Sequence, residues 1–178
     1  MYKNFSKVYD KFMEVCDYDE WIEILERHIK ENNPEGKKIL DLGCGTGKNL
    51  LKLSEKYECS GLDLSEEMLK RAKIRLKGKN VPLFLGDMRA FDTGEKYDII
   101  FSFFDTVNHL TSTEDLMDLF NSVRNSLNNG GIYVFDVVDR EFMDKMFAND
   151  VYADNRKDFA VIWEHFYDEE ENIDQIEA

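Results

Sequence analysis

The sequence predicts an α/β protein built on an open, mainly parallel sheet. Three observations carry that expectation. Helix-period and strand-like segments alternate along most of the 178 residues, the pattern of repeated βα units. A glycine-rich turn, Gly43-Cys44-Gly45-Thr46-Gly47, separates an apolar run from a helical pattern. The stretch "YDIIFSFF", Tyr97 to Phe104, is almost unbroken in its apolarity, as expected of a central strand covered on both faces.

The elements follow in order. A first helix is expected over about Glu20–Lys30, with Trp21, Leu25, His28 and Ile29 on one face and Asn32-Asn33-Pro34 ending it. Strand one covers about Lys38–Asp41, helix two about Lys48–Lys56 and strand two about Glu58–Leu62. Helix three, Glu66–Lys77, has Ser65 as its cap, Glu66 and Glu67 at its positive end, and Gly78 to close it. Strand three is Leu83–Leu85 and strand four Tyr97–Phe104. Helix four starts near Thr113 under a Ser112 cap, with Leu116, Leu119, Phe120, Val123 and Leu127 at helical spacing. Strand five is Ile132–Val137, and a short helix follows over about Glu141–Phe147. The final stretch reads as an antiparallel hairpin: a strand at Phe159–Tyr167, an acidic turn at Asp168–Asn172, and the start of a second strand. The expected division is a ligand-binding sheet domain over 1–150 and the beginning of a hairpin over 151–178.

Composition narrows the function classes. Acidic residues number 37 against 23 basic ones, for a net charge of -14, which repels phosphate backbones and argues against a nucleic-acid partner. The densest basic stretch, Lys70 to Lys79, lies on a strongly periodic helix and reads as a solvated face. No apolar run approaches the about 18 residues a membrane helix needs. The N-terminal stretch has no apolar core of a signal peptide, so a cytoplasmic protein without a membrane partner is expected. Cys16, Cys44 and Cys59 are scattered and form no CxxC pair, which fits a reducing compartment and points to neither a disulfide framework nor a metal site.

The glycine turn poses the question of its ligand. A dinucleotide fingerprint, G-x-G-x-x-G, would follow Gly43 and Gly45 with a glycine where Lys48 stands. A phosphate loop would need glycine in place of Leu42 and a hydroxyl in place of Asn49. Asp41 would oppose a pyrophosphate and suit a cationic group. A tight turn with no ligand explains one Gly-x-Gly, but three alternating glycines behind an acid less well.

"DLGCGTG" resembles the first motif of the class I S-adenosylmethionine-dependent methyltransferases. "GLDLSEEML" then places Asp63 at the end of strand two, where the family's acid accepts hydrogen bonds from the ribose hydroxyls. "GDM" places Asp87 and Met88 at the end of strand three, beside the adenine in the family. "FFDTVNHL" follows strand four, where the family lines cofactor and acceptor. The N-terminal "YKNFSKVYDKFMEVCDYDEW" is similar to a bacterial group of small methyltransferase-like proteins and, more loosely, to amino-sugar N,N-dimethyltransferases.

The resemblance implies a Rossmann-like fold of five parallel strands, S-adenosylmethionine as cofactor, S-adenosylhomocysteine as product, and a small-molecule acceptor. It implies cofactor contacts from Tyr9, Trp21, Asp41, Gly43, Cys44, Gly45, Asp63, Leu64, Met68, Asp87, Met88, Phe104 and Asp105. It places Tyr9 over the transferring methyl and His109 near the acceptor, as candidate catalytic groups. Methyl transfer from a sulfonium is an in-line displacement on an activated electrophile, so alignment, water exclusion and cation stabilisation are the protein's main tasks, and no metal is expected. An amine acceptor can react as its free base, whereas a hydroxyl would call on His109. His28 reads as a helix residue and His165 has no assigned role. An Asn/Asp-Pro-Pro-aromatic motif is lacking after strand four, which counts against nucleobase or amide nitrogens as acceptors. Relatives continue further and complete a lid and the sheet. A fragment, or an oligomer covering the edge at Val134 and Phe135, is therefore expected. The competing readings are a cofactor-binding interaction subunit and, much less favoured, a nicotinamide oxidoreductase.

Overall fold

The computed structural model describes residues 8–33, 35–146, 151–157, 159–171 and 173–177. The chain divides into two compact units, Met1–Val137 and Val138–Ala178.

The first unit opens with a helical turn at 8–12 and a 3-10 turn at Met13–Val15, then α1, Tyr18–Asn32. Asp17 starts α1 by accepting hydrogen bonds from the amides of Asp19 and Glu20, donors that a helix start otherwise leaves unpaired. There follow β1 (Lys38–Leu42), α2 (Lys48–Leu53), β2 (Glu58–Asp63), α3 (Glu66–Arg75), β3 (Leu83–Leu85) and β4 (Tyr97–Ser102). A 3-10 turn, Thr106–His109, leads to α4 (Thr113–Ser126) and β5 (Leu127–Phe135). Ser65 and Ser112 cap α3 and α4 through the amides of Met68 and Asp115, as the sequence leads one to expect.

The strands form one sheet in the order β3-β2-β1-β4-β5, and every neighbouring pair is parallel. The order reverses between β1 and β4, which opens a crevice at their carboxyl ends. Side chains alternate across the sheet, so one strand feeds two cores. Ile39, Ile99 and Phe101 pack with Leu25, Ile29, Leu50, Leu53 and Leu69. Leu40, Leu42 and Ile100 pack on the other face with Leu119 and Val123 of α4. Each buried leucine contributes about 1.5–3 kcal/mol, so these layers hold the strand ends in place. β5 has one strand neighbour among the described residues, and Phe135 is 40% exposed there while Val134 is half-buried.

Several boundaries differ from the sequence reading: α1 is longer at both ends, α2 and α3 stop at Leu53 and Arg75, and the two largest differences lie at β4 and β5. The apolar run Tyr97–Phe104 overstates β4, which ends at Ser102. Phe103 and Phe104 instead join an aromatic cluster with Trp21 and Tyr18, at centroid separations of 4.7–5.3 Å. Apolarity there records packing between loop and helix, not strand pairing. β5 begins at Leu127 directly after α4, with a register irregularity against β4 between Tyr97 and Ile99. Asn128, which reads as a helix stop, donates its side-chain amide to Asp98 at 2.8 Å.

The second unit holds α5 (Arg140–Met146) and an antiparallel sheet β6-β7-β8 of Val151–Asn155, Ala160–Asp168 and Ile173–Glu177. The expected hairpin is β7–β8, and Asp168 shapes its turn by accepting from the amides of Glu170 and Glu171. β6 is an addition, because "VYADN" carries too little alternation to announce a strand. His165 bonds Asp174 at 2.6 Å across β7 and β8, and the Arg140 guanidinium lies 3.3 Å from the Tyr167 ring centroid. Among the described residues, no helix is long and apolar enough to cross a membrane.

Candidate functional site

A cavity of about 790 Å³ opens at the carboxyl ends of β1, β2, β3 and β4. That size suits a small organic ligand. Its floor is the turn between β1 and α2. Gly43, Gly45 and Gly47 there have φ of 92°, 53° and 76°, a region that side-chain-bearing residues rarely adopt. The amides of Gly43 and Cys44 both donate to the Leu62 carbonyl at 2.8 and 2.9 Å, folding the turn back onto β2. A Cβ on Gly43 would collide with the Thr106 side chain, so the close approach of the β4 loop requires glycine. A Cβ on Gly45 would meet nothing within 4 Å, and this residue presents open backbone to the cavity.

Asp63, the last residue of β2, faces this turn. Its Oδ2 accepts from Gly45 N–H and its Oδ1 from Ser65 N–H, both at 2.7 Å. A carboxylate has about four lone-pair positions, so two remain for a ligand. Burial raises the Asp63 pKa, and the two amides and His109 oppose that rise. The carboxylate is thus oriented and partly desolvated before anything binds.

At the next strand end, Asp87 is clasped by Arg89, whose Nη2 lies 2.6 Å from Oδ2 and whose Nε lies 3.1 Å from both oxygens. Arg89 also reaches Asp115 of α4 at 2.8 Å. The Arg89 bonds hold the Asp87 pKa below the usual carboxylate range. Leu64, Met68, Met88 and Leu110 give this part of the cavity apolar walls.

Tyr9, Tyr18, Phe104 and His109 complete the lining. Phe104 and Asp105 carry φ of 60° and 53°, a conformation costing on the order of 1–3 kcal/mol per residue. The Asp105 amide donates to Asp136 Oδ2 at 2.8 Å and its carbonyl accepts from Asn108 N–H at 2.9 Å, which secures the strained corner. His109 reaches solvent within a concave wall, and the protein atoms around it desolvate the imidazole and lower its pKa, with Asp63 pulling the other way.

The cavity therefore gathers Tyr9, Gly43, Cys44, Gly45, Asp63, Leu64, Met68, Asp87, Met88, Phe104 and His109. Trp21, Asp41 and Asp105 stand outside its wall and take supporting positions instead. Trp21 stacks behind Phe103 and Phe104 at 5.0 and 5.3 Å. Asp41 lies beneath the glycine turn, 2% exposed, because β1 runs between two layers of side chains. Burial, then the charge of Asp63, drives its pKa far up, and its Oδ2 has no hydrogen-bond partner. Asp105 is tied to Asp136 through its backbone amide, and desolvation plus the Asp136 charge raises its pKa to about 6. The sequence reading missed Tyr18, Thr46, Thr106 and Arg89, all in the wall. An aromatic at a helix start and a basic residue two places after Asp87 were the available signals.

These residues fit a nucleoside that carries a cationic amino-acid tail. Asp63 offers paired acceptors, Gly45 offers open backbone, the methionines and leucines offer an apolar slot, and Asp41 keeps an unpartnered oxygen under the turn.

Comparison with known proteins agrees. The methyltransferase domain family matches residues 39–131, more than half of the chain. The protein YqeM of Bacillus subtilis, whose name assigns it to the methyltransferases, is 36% identical over 171 residues, covering 93% of this chain and 67% of YqeM. The dTDP-3-amino-3,4,6-trideoxy-α-D-glucopyranose N,N-dimethyltransferase of Streptomyces venezuelae is 36% identical over 61% of this chain and 45% of its own length. Among solved structures, an S-adenosylmethionine-dependent methyltransferase from Clostridium acetobutylicum superposes with a TM-score of 0.82 at 28% identity, covering 94% of this chain and 70% of that one. The chain spans about two thirds of the length of YqeM. By family match, sequence identity and fold, the chain belongs to the S-adenosylmethionine-dependent methyltransferases.

Proposed function

We propose that this chain binds S-adenosylmethionine in the cavity at the carboxyl end of its sheet and methylates a small molecule, through an amine nitrogen in preference to a hydroxyl. The observation that carries the reading is Asp63, fixed by two backbone amides opposite the open glycine turn. Bound there, the cofactor supplies a methyl group on a sulfonium, an electrophile that needs no further activation.

The chain's own residues do the rest. Asp63 holds the ribose hydroxyls, and the Leu64, Met68 and Met88 side chains hold the base. Asp41 offers its unpartnered carboxyl oxygen to the amino-acid tail from beneath the turn. Tyr9 and Phe104 close the wall from the other side and exclude water, which strengthens every polar contact inside. His109, kept neutral at physiological pH by its desolvation, can accept the proton that the acceptor releases. The amine preference rests on the amino-sugar N,N-dimethyltransferases among the relatives. The free, scattered cysteines support a reducing, cytoplasmic setting.

The test is release of S-adenosylhomocysteine over a panel of primary and secondary amines, amino sugars and phenols. Turnover with amines above phenols supports the reading. Cofactor binding with no turnover on any acceptor would favour a binding subunit instead.

A further inference from the structure

We propose that Arg75 is a positioning residue for methyl transfer: together with Thr46 it latches the helical turn bearing Asp10 onto the glycine turn, and so holds Tyr9 in the cavity wall. The proposal builds on the methyltransferase reading given above.

None of residues 8–15 is fully buried, and the 3-10 turn Met13–Val15 contributes no core residue. Polar contacts help to fasten the segment, and they converge from two distant elements. Arg75 ends α3, and its Nη2 lies 2.7 Å from Asp10 Oδ2. Its Nη1 donates to both the carbonyl and the hydroxyl oxygen of Thr46. The Thr46 hydroxyl in turn donates to Asp10 Oδ1 at 2.7 Å, so both oxygens of Asp10 are engaged. Lys48 adds longer bonds, 3.4 and 3.5 Å, to the carbonyls of Asp10 and Met13.

Two features separate this triad from an ordinary surface ion pair. The Arg75 and Asp10 side chains are only 21% and 29% exposed, whereas those of the nearby Lys52–Asp19 pair are 42% and 74% exposed. Water and salt therefore screen the latch far less. Thr46 also serves twice, as the middle member of the latch and as part of the cavity wall between Gly45 and Gly47. Tyr9, beside Asp10 in sequence, lines the same cavity. Closing the latch thus brings the Tyr9 segment and the cofactor turn together; releasing it frees one wall of the cavity. Arg75 acts through Asp10 and touches no reacting atom.

The experiment compares wild type, Arg75→Met, Arg75→Lys, Asp10→Asn, the double variant Asp10→Asn/Arg75→Met and, as a control, Asp19→Asn. It uses hydrogen exchange of residues 8–16 and stopped-flow dissociation of S-adenosylhomocysteine. Arg75→Met and Asp10→Asn should each speed exchange of the segment and raise the dissociation rate about tenfold, as loss of a charge-assisted bond implies. The double variant should be no worse than either single one, because both remove the same interaction. Arg75→Lys should recover part of the loss, and Asp19→Asn should change neither readout. Wild-type exchange and dissociation in Arg75→Met, or additive losses in the double variant, would overturn the proposal. Should Arg75→Met fail to fold, Asp10→Asn, which alters no core residue, decides alone by the same criteria. Failure of the wild type to bind S-adenosylhomocysteine would instead sink the methyltransferase reading, while the exchange comparison still decides the latch.

Discussion

The two walls of the cavity are built on different principles. The wall formed by the glycine turn and Asp63 rests on backbone: strand ends, amide donors and a turn folded back onto β2. The wall formed by Tyr9, Phe104 and His109 rests on side chains that reach across the chain, with a strained corner at Phe104-Asp105 and a polar latch at Asp10. The first is dictated locally, so it tolerates little substitution. The second is assembled from long-range pairs, so it can be loosened one bond at a time. That contrast also fits the division of labour. Under the proposed function, a cofactor shared by a whole family calls for a rigid seat, and an acceptor for an adjustable wall.

The contrast can be broken most severely at Gly43. Alanine there must adopt φ near 92° and displace Thr106. The strain and the clash together should cost about 3 kcal/mol or more, roughly 10 °C in Tm for a chain of this size. Thermal melts check this, and a Thr106→Ala background should return the part due to the clash. Gly45→Ala, with open space around it, should cost much less stability and act chiefly on the cofactor.

The side-chain wall should respond in rate before it responds in stability. His109→Asn should lower kcat about a hundredfold if the imidazole takes the acceptor's proton. The base must be neutral to work, and desolvation lowers its pKa. With an aromatic amine as acceptor, already a free base in this range, wild-type activity should therefore fall as pH drops through that lowered pKa and level off above it. The variant should lose that acidic limb. An unchanged limb would assign it to another group.

A smaller effect is expected at the strained corner. Asp105, although exposed at the surface of the corner, has its pKa raised to about 6 by neighbouring protein atoms that desolvate it and by Asp136, so between the two values its folded form holds a proton that the unfolded chain has already released. The sign follows: its ionisation costs stability as pH rises between the unfolded value near 3.8 and about 6. Asp105→Asn should raise Tm at pH 8 and leave it nearly unchanged at pH 3.5. Melts at the two values, with equal shifts, would contradict this. The latch has the opposite sign. Burial works to raise the Asp10 pKa, but the Arg75 and Thr46 bonds and the charges of Arg75 and Lys48 outweigh it and hold it below 3.8. Its contribution is present above the ordinary carboxylate range and is lost as pH falls below about 4.

The same contrast explains what could be read from the sequence. Alternating glycines after Leu42, an acid at each of two strand ends and serines before two helices are local signals, and each marks its own backbone. The parallel sheet followed from the alternation of helix and strand signals, and the roles of Asp63 and Asp87 from the resemblance that these local motifs carry. Where a run of apolar residues served two purposes, the reading overshot: Phe103 and Phe104 belong to a cluster with Trp21, not to β4. Burial depth was also invisible: Asp41 read as an acid suited to a cationic group, and nothing local showed that β1 hides it between two cores. Arg75 and Asp10 lie 65 positions apart, and no local pattern ties them. Arg89 was missed for a similar reason, since its second partner, Asp115, sits on α4.

The central claim is that Asp63 is the prepared anchor of an S-adenosylmethionine site. Calorimetric titration of the wild type and Asp63→Ala with S-adenosylmethionine, and of the wild type with NAD, tests it most directly. The account predicts binding of S-adenosylmethionine but not of NAD by the wild type, and a Kd roughly 100-fold weaker in Asp63→Ala, because a ribose would lose a desolvated, charged acceptor. Equal affinity in the variant, or binding of NAD in place of S-adenosylmethionine, would contradict it.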